Sequence, residues 1–287
     1  MSLSSSSLSP PPNDLLVALE DPDALTLFDQ GPKVTKKILF KDKATVVKYG
    51  PAVRRSEALA MEFVRNYAPT VPVPEVYGVF YSPSVTPDES SVGTTYILLE
   101  WISGEDLSQV WTNFSPDDKN DIVDQLRTIV RAIRALEPPH GHSYVGAHGN
   151  SPCTDPIISD QGPFPDIATF NEALVGVVRP CFRGNMLSVV RRLLHRTDGY
   201  RIVFTHGDLH ISNIIITRTT TPSGPCSRIV AIIDWECAGW YPEHWEYVKL
   251  LNNVKWVSDW AARAQDLLDA HYDEDFWLYN SLARMLL

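Results

Sequence analysis

Apolar residues recur along this chain with two different periods, and the change of period divides it. Between residues 33 and 101 the apolar runs are short and β-prone. Residues 35–40 and 44–48 flank Lys41-Asp42-Lys43 and predict a hairpin, and residues 76–81 and 94–101 predict two more strands. Between the two pairs, residues 54–67 carry Ala58, Met61, Phe63 and Val64 among charges, which predicts a helix stopped by Pro69. Residues 82–93, with prolines, serines and two acids, predict an exposed loop. Strand–strand–helix–strand–strand therefore fills 33–101, a small lobe of one sheet and one long helix.

Helical spacing takes over beyond it. Ser115-Pro116-Asp117-Asp118 combines a capping Ser, a Pro at the first helical position and acids at the positive end of the helix dipole. Behind it Ile122, Val123, Leu126, Ile129, Val130, Ile133 and Leu136 share one face until Pro138-Pro139. Residues 140–166 predict a long irregular connection, and 167–178 and 186–195 two further helices. Two strand-like runs, 211–217 and 229–234, bracket a polar stretch, 218–227, that predicts a turn, and a helical tail starts near Trp256. At the other end, Ser- and Pro-rich residues 1–13 predict a disordered tail, and 14–28, interrupted by Pro22, one or two short helices. The organisation expected is an extension over 1–32, partly disordered, followed by lobes at 33–102 and 103–287.

Composition narrows the class. With 287 residues and 44% hydrophobic content the chain can bury a core, which excludes a wholly disordered protein. The formal net charge of -10 argues against nucleic acid as a partner, because phosphate-backbone binding needs a positive footprint. It also leans toward a cationic small molecule. Cys153, Cys181, Cys226 and Cys237 form no CxxC pair, so free thiols in a reducing, cytoplasmic setting are expected. No apolar run is long enough to cross a bilayer, so no membrane partner is expected.

Two segments carry chemistry. Residues 204–213 read Phe-Thr-His-Gly-Asp-Leu-His-Ile-Ser-Asn, and an apolar strand further on ends in Asp234. An Asp followed five residues later by an Asn, with a second Asp closing the next strand, suits phosphoryl transfer. Asp208 would orient or deprotonate an attacking hydroxyl, while Asn213 and Asp234 would hold Mg²⁺. Lys48, ending a strand before a helix that offers Glu57, would anchor the nucleotide phosphates. Glu62 lies on the same helix as an alternative partner for Lys48. Glu236, two residues past Asp234, lies close enough to touch metal or substrate. His210 and Trp240 are further substrate candidates, Trp240 through cation–π attraction within the run Trp240-Tyr241, Trp245 and Tyr247, with packing of the lower lobe preferred for most of these rings. His206 reads as a brace for the catalytic loop. Asp266, Asp269 and Asp273 read as one face of the tail helix, with solvation preferred to acceptor binding.

These segments, together with Val46-Val47-Lys48-Tyr49-Gly50, Glu57-Ala58-Leu59-Ala60-Met61, Ile97 through Gly104, Gly162-Pro163-Phe164 and Gly239-Trp240-Tyr241-Pro242, resemble the aminoglycoside phosphotransferase and choline kinase superfamily, in its fungal branch. The likeness runs in the family's order over about residues 34–250. It implies an α+β, bilobal protein-kinase-like fold: a small N-terminal sheet-plus-helix lobe that binds nucleotide and a larger, mainly helical C-terminal lobe that holds the catalytic and substrate groups. It further implies that Glu100, Trp101 and Ile102 form the hinge that holds the adenine, that ATP or GTP with Mg²⁺ is the cofactor set, and that a small-molecule hydroxyl is phosphorylated. The sequence departs from the protein-kinase pattern in lacking a Gly-rich loop before Gly50, so the turn at Lys41-Asp42-Lys43 is expected to cover the phosphates. Three rival readings share parts of this pattern: a catalytically idle nucleotide-binding module, a protein kinase, and a metal-dependent hydrolase built on His206 and His210.

Overall fold

A computed structural model describes residues 8–21, 24–29, 36–40, 44–83, 93–139, 144–178, 184–221 and 224–286. The chain begins with helix α1 (Asn13–Leu19) and strands β1 (Leu25–Asp29), β2 (Lys36–Phe40) and β3 (Thr45–Gly50). Helix α2 (Arg55–Tyr67) and strands β4 (Val76–Ser82) and β5 (Thr94–Glu100) follow. The five strands form one antiparallel sheet in the order β1-β2-β3-β5-β4. The expected β2–β3 hairpin and the strand–strand–helix–strand–strand order are present. Residues 41–43 and 84–92, which held the expected turn and most of the expected loop, lie outside the described residues.

The start of the chain differs from expectation. Residues 25–28, read as helical, form most of β1, because Leu-Thr-Leu-Phe gains ladder hydrogen bonds against β2 that a helix broken by Pro22 could not match. The hairpin that precedes the one bearing Lys48 is therefore β1–β2, and Leu27 of β1 lines the cleft described below. The described part of the tail is tied down as well. Tyr81 donates its N–H to Ser9 O at 3.0 Å, and Leu15 is buried with Val47 and Tyr96 on the sheet.

Beyond the sheet lie β6 (Glu105–Asp106), α3 (Leu107–Val110) and the long helix α4 (Pro116–Arg134). Helix α4 starts at a full capping box. Ser115 Oγ accepts from Asp118 N–H, and Asp118 returns a carboxylate to Ser115 N–H. The face from Ile122 to Ile133 is buried, as its spacing predicts. Then come β7 (Gly146–Ala147), α5 (Ile167–Gly176), α6 (Asn185–Leu194), β8 (Ile202–Thr205), β9 (Ile214–Thr221) and β10 (Gly224–Ile232). β11 (Gly239–Pro242), α7 (Trp245–Asn252), α8 (Asp259–Ala264) and α9 (Asp273–Leu286) complete the described chain.

Two small sheets, β10-β9-β6 and β7-β11-β8, sit within this helical lobe. The polar stretch 218–227 is mostly strand: its Thr-rich side favours extended backbone, and Arg218 to Thr221 pair with Gly224 to Ser227. The tail is two helices, so Asp266 and Asp269 lie between α8 and α9, and only Asp273 opens α9. Asp269 pairs with Arg131 of α4, so the three acids do not form one helix face. No helix among the described residues is long and apolar enough to cross a membrane.

Candidate active site

The two lobes meet at Lys48. Its side chain, 2% exposed, is centred among three carboxylates: Glu57 at 2.8 Å, Asp234 at 2.7 Å and Glu236 at 2.7 Å. Glu57 faces inward because it lies on the buried stripe of α2 with Ala58, Met61 and Val64, which leaves Glu62 out of the pair. Burial alone would pull the ammonium pKa down. The attraction of Glu57, Asp234 and Glu236 outweighs it and holds Lys48 well above its ordinary value, fully charged.

Asp234 follows β10 in a left-handed backbone conformation, φ 68° and ψ 57°. A non-glycine residue rarely adopts it, and here it turns the chain into the short 3-10 turn Trp235–Cys237. Next to it, Gly207 also has positive φ, and a Cβ there would come within 2.6 Å of the Cys237 carbonyl oxygen. Only glycine lets the segment His206-Gly207-Asp208 pass so close to the Asp234 loop.

Asp208 is gripped at both carboxylate oxygens. Asn213 Nδ2 donates to Oδ2 at 3.1 Å and to the Asp208 carbonyl at 2.9 Å, while Asn253 Nδ2 donates to Oδ1 at 2.7 Å. Burial raises the Asp208 pKa, and the nearby Asp234 charge adds to this, against the Asn213 hydrogen bond and Lys249. His206 is fully buried and pushed down to about 4 by burial, hence neutral near pH 7. It accepts from Asp208 N–H at Nδ1, 3.2 Å, which leaves Nε2–H to donate to Ile233 O, also 3.2 Å. With both nitrogens committed it braces the loop and is no metal ligand. His210 pairs with Ser212 Oγ at 2.6 Å and caps the turn Ile211–Asn213.

Beneath the loop, Glu246 accepts from the N–H groups of His206 at 2.6 Å and Gly207 at 3.3 Å. Burial pushes its pKa to about 7 despite those bonds. The folded protein thus binds a proton that the unfolded chain has lost, between the unfolded value of 4.5 and about 7. By linkage, stability falls as pH rises across that window, by roughly 3 kcal/mol. Glu246→Gln keeps an acceptor oxygen and should flatten the fall. Urea unfolding midpoints at pH 5, 6, 7 and 8 read it directly, and equal slopes in both proteins would contradict the assignment.

Two cavities adjoin this cluster. An apolar slot of about 270 Å³ lies between the lobes, walled by Val46, Met61, Leu99, Ile215 and Ile233 and reaching Lys48 and Asp234. Glu100, Trp101 and Ile102 line its edge. An open polar cavity of about 380 Å³ is lined by Asp208, His210, Ser212, Asn213, Asp234 and Asn253. The oxygens of Asn213 and Asp234 are hard donors suited to Mg²⁺. Because Asn213 Nδ2 is committed to Asp208, its amide oxygen is the atom free to serve a cation. No cluster of three or more His, Cys, Asp or Glu that could hold a metal alone occurs among the described residues. Two protein ligands are what Mg²⁺ uses when phosphates and water complete its shell.

The structure thus brings Lys48, Glu57, Asp208, Asn213, Asp234, Glu236 and His210 to one place, with Glu100 to Ile102 at the rim. Trp240 is not there. It is fully buried in the middle strand of β7-β11-β8, packed on Phe204 and Phe63, so it cannot meet a substrate. Tyr241, Trp245 and Tyr247 are buried too, which makes the aromatic run core and no cage. Asn253 was not foreseen, and no local signal marks it. Glu246 and Lys249 do carry one: charges inside the apolar run of α7 must be paired.

Comparison with known proteins agrees with the architecture. The APH(4)-Ia aminoglycoside phosphotransferase, solved as a thermostable mutant in ternary complex with ADP and hygromycin B, superposes with a TM-score of 0.56 at 13% identity, over 95% of this chain and 96% of that one. Amicoumacin kinase hAmiN, solved with AMP-PNP, Ca²⁺ and Ami, gives 0.51 at 12% identity, over 96% and 84%. Two Aspergillus fumigatus relatives, each described as a subtelomeric hrmA-associated cluster protein, are 38% identical over 98 residues, 33% of this chain. That match spans only 18% of the relatives' own length. Residues 41–283 match the family model for the phosphotransferase enzyme family, APH, and with its bilobal kinase-like fold the chain belongs to that family.

Proposed function

We propose that this chain transfers the terminal phosphoryl group of ATP to a hydroxyl of a small molecule, with Asp208 as the base. The observation that carries this reading is the Asp208 carboxylate, fixed by two amides at the wall of a polar cavity beside the Lys48–Asp234 pair. An acceptor hydroxyl bonded to Asp208 attacks the γ-phosphorus. The new O–P bond forms as the bond from phosphorus to the β,γ-bridging oxygen breaks, the hydroxyl proton passes to Asp208, and ADP leaves. Lys48 neutralises phosphate oxygens. Asn213 and Asp234 would hold Mg²⁺, which supplies charge neutralisation on the phosphates when bound.

The apolar slot suits a purine ring. At the hinge, the N–H groups of Glu100 and Trp101 are committed to Glu75 O at 2.9 Å and Ala44 O at 2.8 Å. Ile102 is therefore the hinge residue with an N–H for the base. Among the described residues the acceptor cavity carries Asp208 and Asp234 and no Lys or Arg, which favours an amine-bearing acceptor.

The test is ADP or GDP release from ATP or GTP with Mg²⁺ across a panel of hydroxyl compounds that includes hygromycin B and choline. Acceptor-dependent release above the water background is expected, together with Mg²⁺-dependent thermal stabilisation by nucleotide. Stabilisation without release for any acceptor would overturn the reading in favour of an idle binding module.

A further inference from the structure

Helix α7 carries Glu246 and Lys249, and Asn253 is its C-terminal cap. Positions seven residues apart nearly eclipse on a helix, so Glu246 and Asn253 fall on one line about 10 Å apart. At one end Glu246 holds the backbone N–H groups of His206 and Gly207. At the other, Asn253 Nδ2 holds Asp208 Oδ1 at 2.7 Å, the shorter of the two amide bonds to that carboxylate. Between them Lys249, buried, is pinned from outside the helix by Asp155 at 2.7 Å and Tyr279 Oη at 3.3 Å. A rotation of α7 would break that buried pair, so the helix has one setting, and the loop is gauged against it at both backbone and side chain.

We propose that Asn253 is a positioning residue for phosphoryl transfer, fixing the rotation of the Asp208 carboxylate so that its uncommitted lone pairs face the acceptor hydroxyl. The proposal rests on the transferase reading above. The terminal torsion of an aspartate is broad, so one hydrogen bond leaves the carboxylate free to pivot and two on opposite oxygens do not. Asn213 cannot do this alone, since its side chain holds only the Oδ2 oxygen of that carboxylate. Asn253 holds the other oxygen, and it reaches Asp208 from a separate helix. Its place on the cavity wall means that the acceptor docks against the same side chain that sets the base.

The test compares Asn253→Ala with the isosteric Asn253→Asp, using ATP hydrolysis with water as the acceptor. Hydrolysis sensitive to D208N in the parent protein is the reference. We expect kcat to fall about 10–100-fold in N253A, the scale set by a misplaced catalytic group. A larger fall is expected in N253D, where a carboxylate replaces the donor. The nucleotide Kd should stay within about twofold of the parent value, because binding equal in ground and transition states is untouched. The melting temperature of N253D, which changes no volume, separates positioning from folding. A kcat within about twofold of the parent in either folded variant overturns the proposal, as does a loss that tracks melting temperature alone. Parent turnover that is absent with water and with every acceptor of the panel, or that is insensitive to D208N, instead overturns the transferase reading, and this proposal falls with it.

Discussion

Asp208→Asn is expected to lower turnover by about 10²–10⁴-fold, the usual contribution of a positioned general base, with nucleotide affinity unchanged. Affinity holds because the slot, Lys48 and the Asn213–Asp234 pair are untouched. The substitution is the same size as the parent residue but not equivalent in hydrogen bonding. An aspartate offers acceptor oxygens to both Asn213 and Asn253. An asparagine offers one, and its own NH₂ faces the NH₂ of the other amide. One clamp must open, which adds a stability loss of about 1 kcal/mol to the chemical defect. Nucleoside diphosphate release and calorimetric nucleotide binding separate the two effects. Undiminished transfer in D208N would remove Asp208 from the mechanism.

Lys48→Met should cost more in stability than any other single change at the site. Among the described residues it removes the one cation set among the three carboxylates and leaves Glu57 buried without that partner, a defect worth about 3–5 kcal/mol. The deficit has a pH signature. Burial already raises the Glu57 pKa in the parent, against the attraction of Lys48. Without the ammonium it rises further, so the folded mutant holds its proton to higher pH and recovers stability as pH falls from that raised folded value toward the unfolded one. The double variant Lys48→Met/Glu57→Gln removes the stranded charge and should regain a large part of the loss at neutral pH. Denaturant midpoints of the parent, single and double variants measure this. A single variant as stable as the parent would mean that the cluster contributes nothing to folding. Its effect on turnover is a separate readout, expected to be a loss, since the phosphates lose their cation.

What the sequence disclosed depended on how local the determinants were. The order of β2, β3, α2, β4 and β5 was legible because each element carries its own period and its own stop signal. The capping box of α4 was legible for the same reason. β1 was not, because a four-residue alternation next to Pro22 becomes a strand only by pairing with β2. The outer halves of β9 and β10 were hidden by Pro and Gly, whose turn signal outweighed the threonines beside it. At the site, Asp208, Asn213 and Asp234 were readable from their offsets, and Lys48 with Glu57 from a strand leading into a helix. Trp240 was misplaced because burial on both faces of a strand leaves no periodic trace. Asn253 was invisible for a different reason. Its bond to Asp208 bridges 45 residues and depends on where α7 is docked, which no spacing within α7 encodes.

The ion cluster at Lys48 also works as a clasp. Lys48 and Glu57 belong to the sheet lobe, and Asp234 and Glu236 to the helical one, so two of the three ion pairs bridge the lobes. Of the three carboxylates, Glu236 is the most exposed, at 52%. It is the one that can swing back into water at little desolvation cost. Under the proposed function, a phosphate arriving at Lys48 would therefore meet a seat already taken by the protein's own surrogate anion. Binding would then exchange one negative partner for another, with the Lys48–Asp234 pair still bridging the lobes.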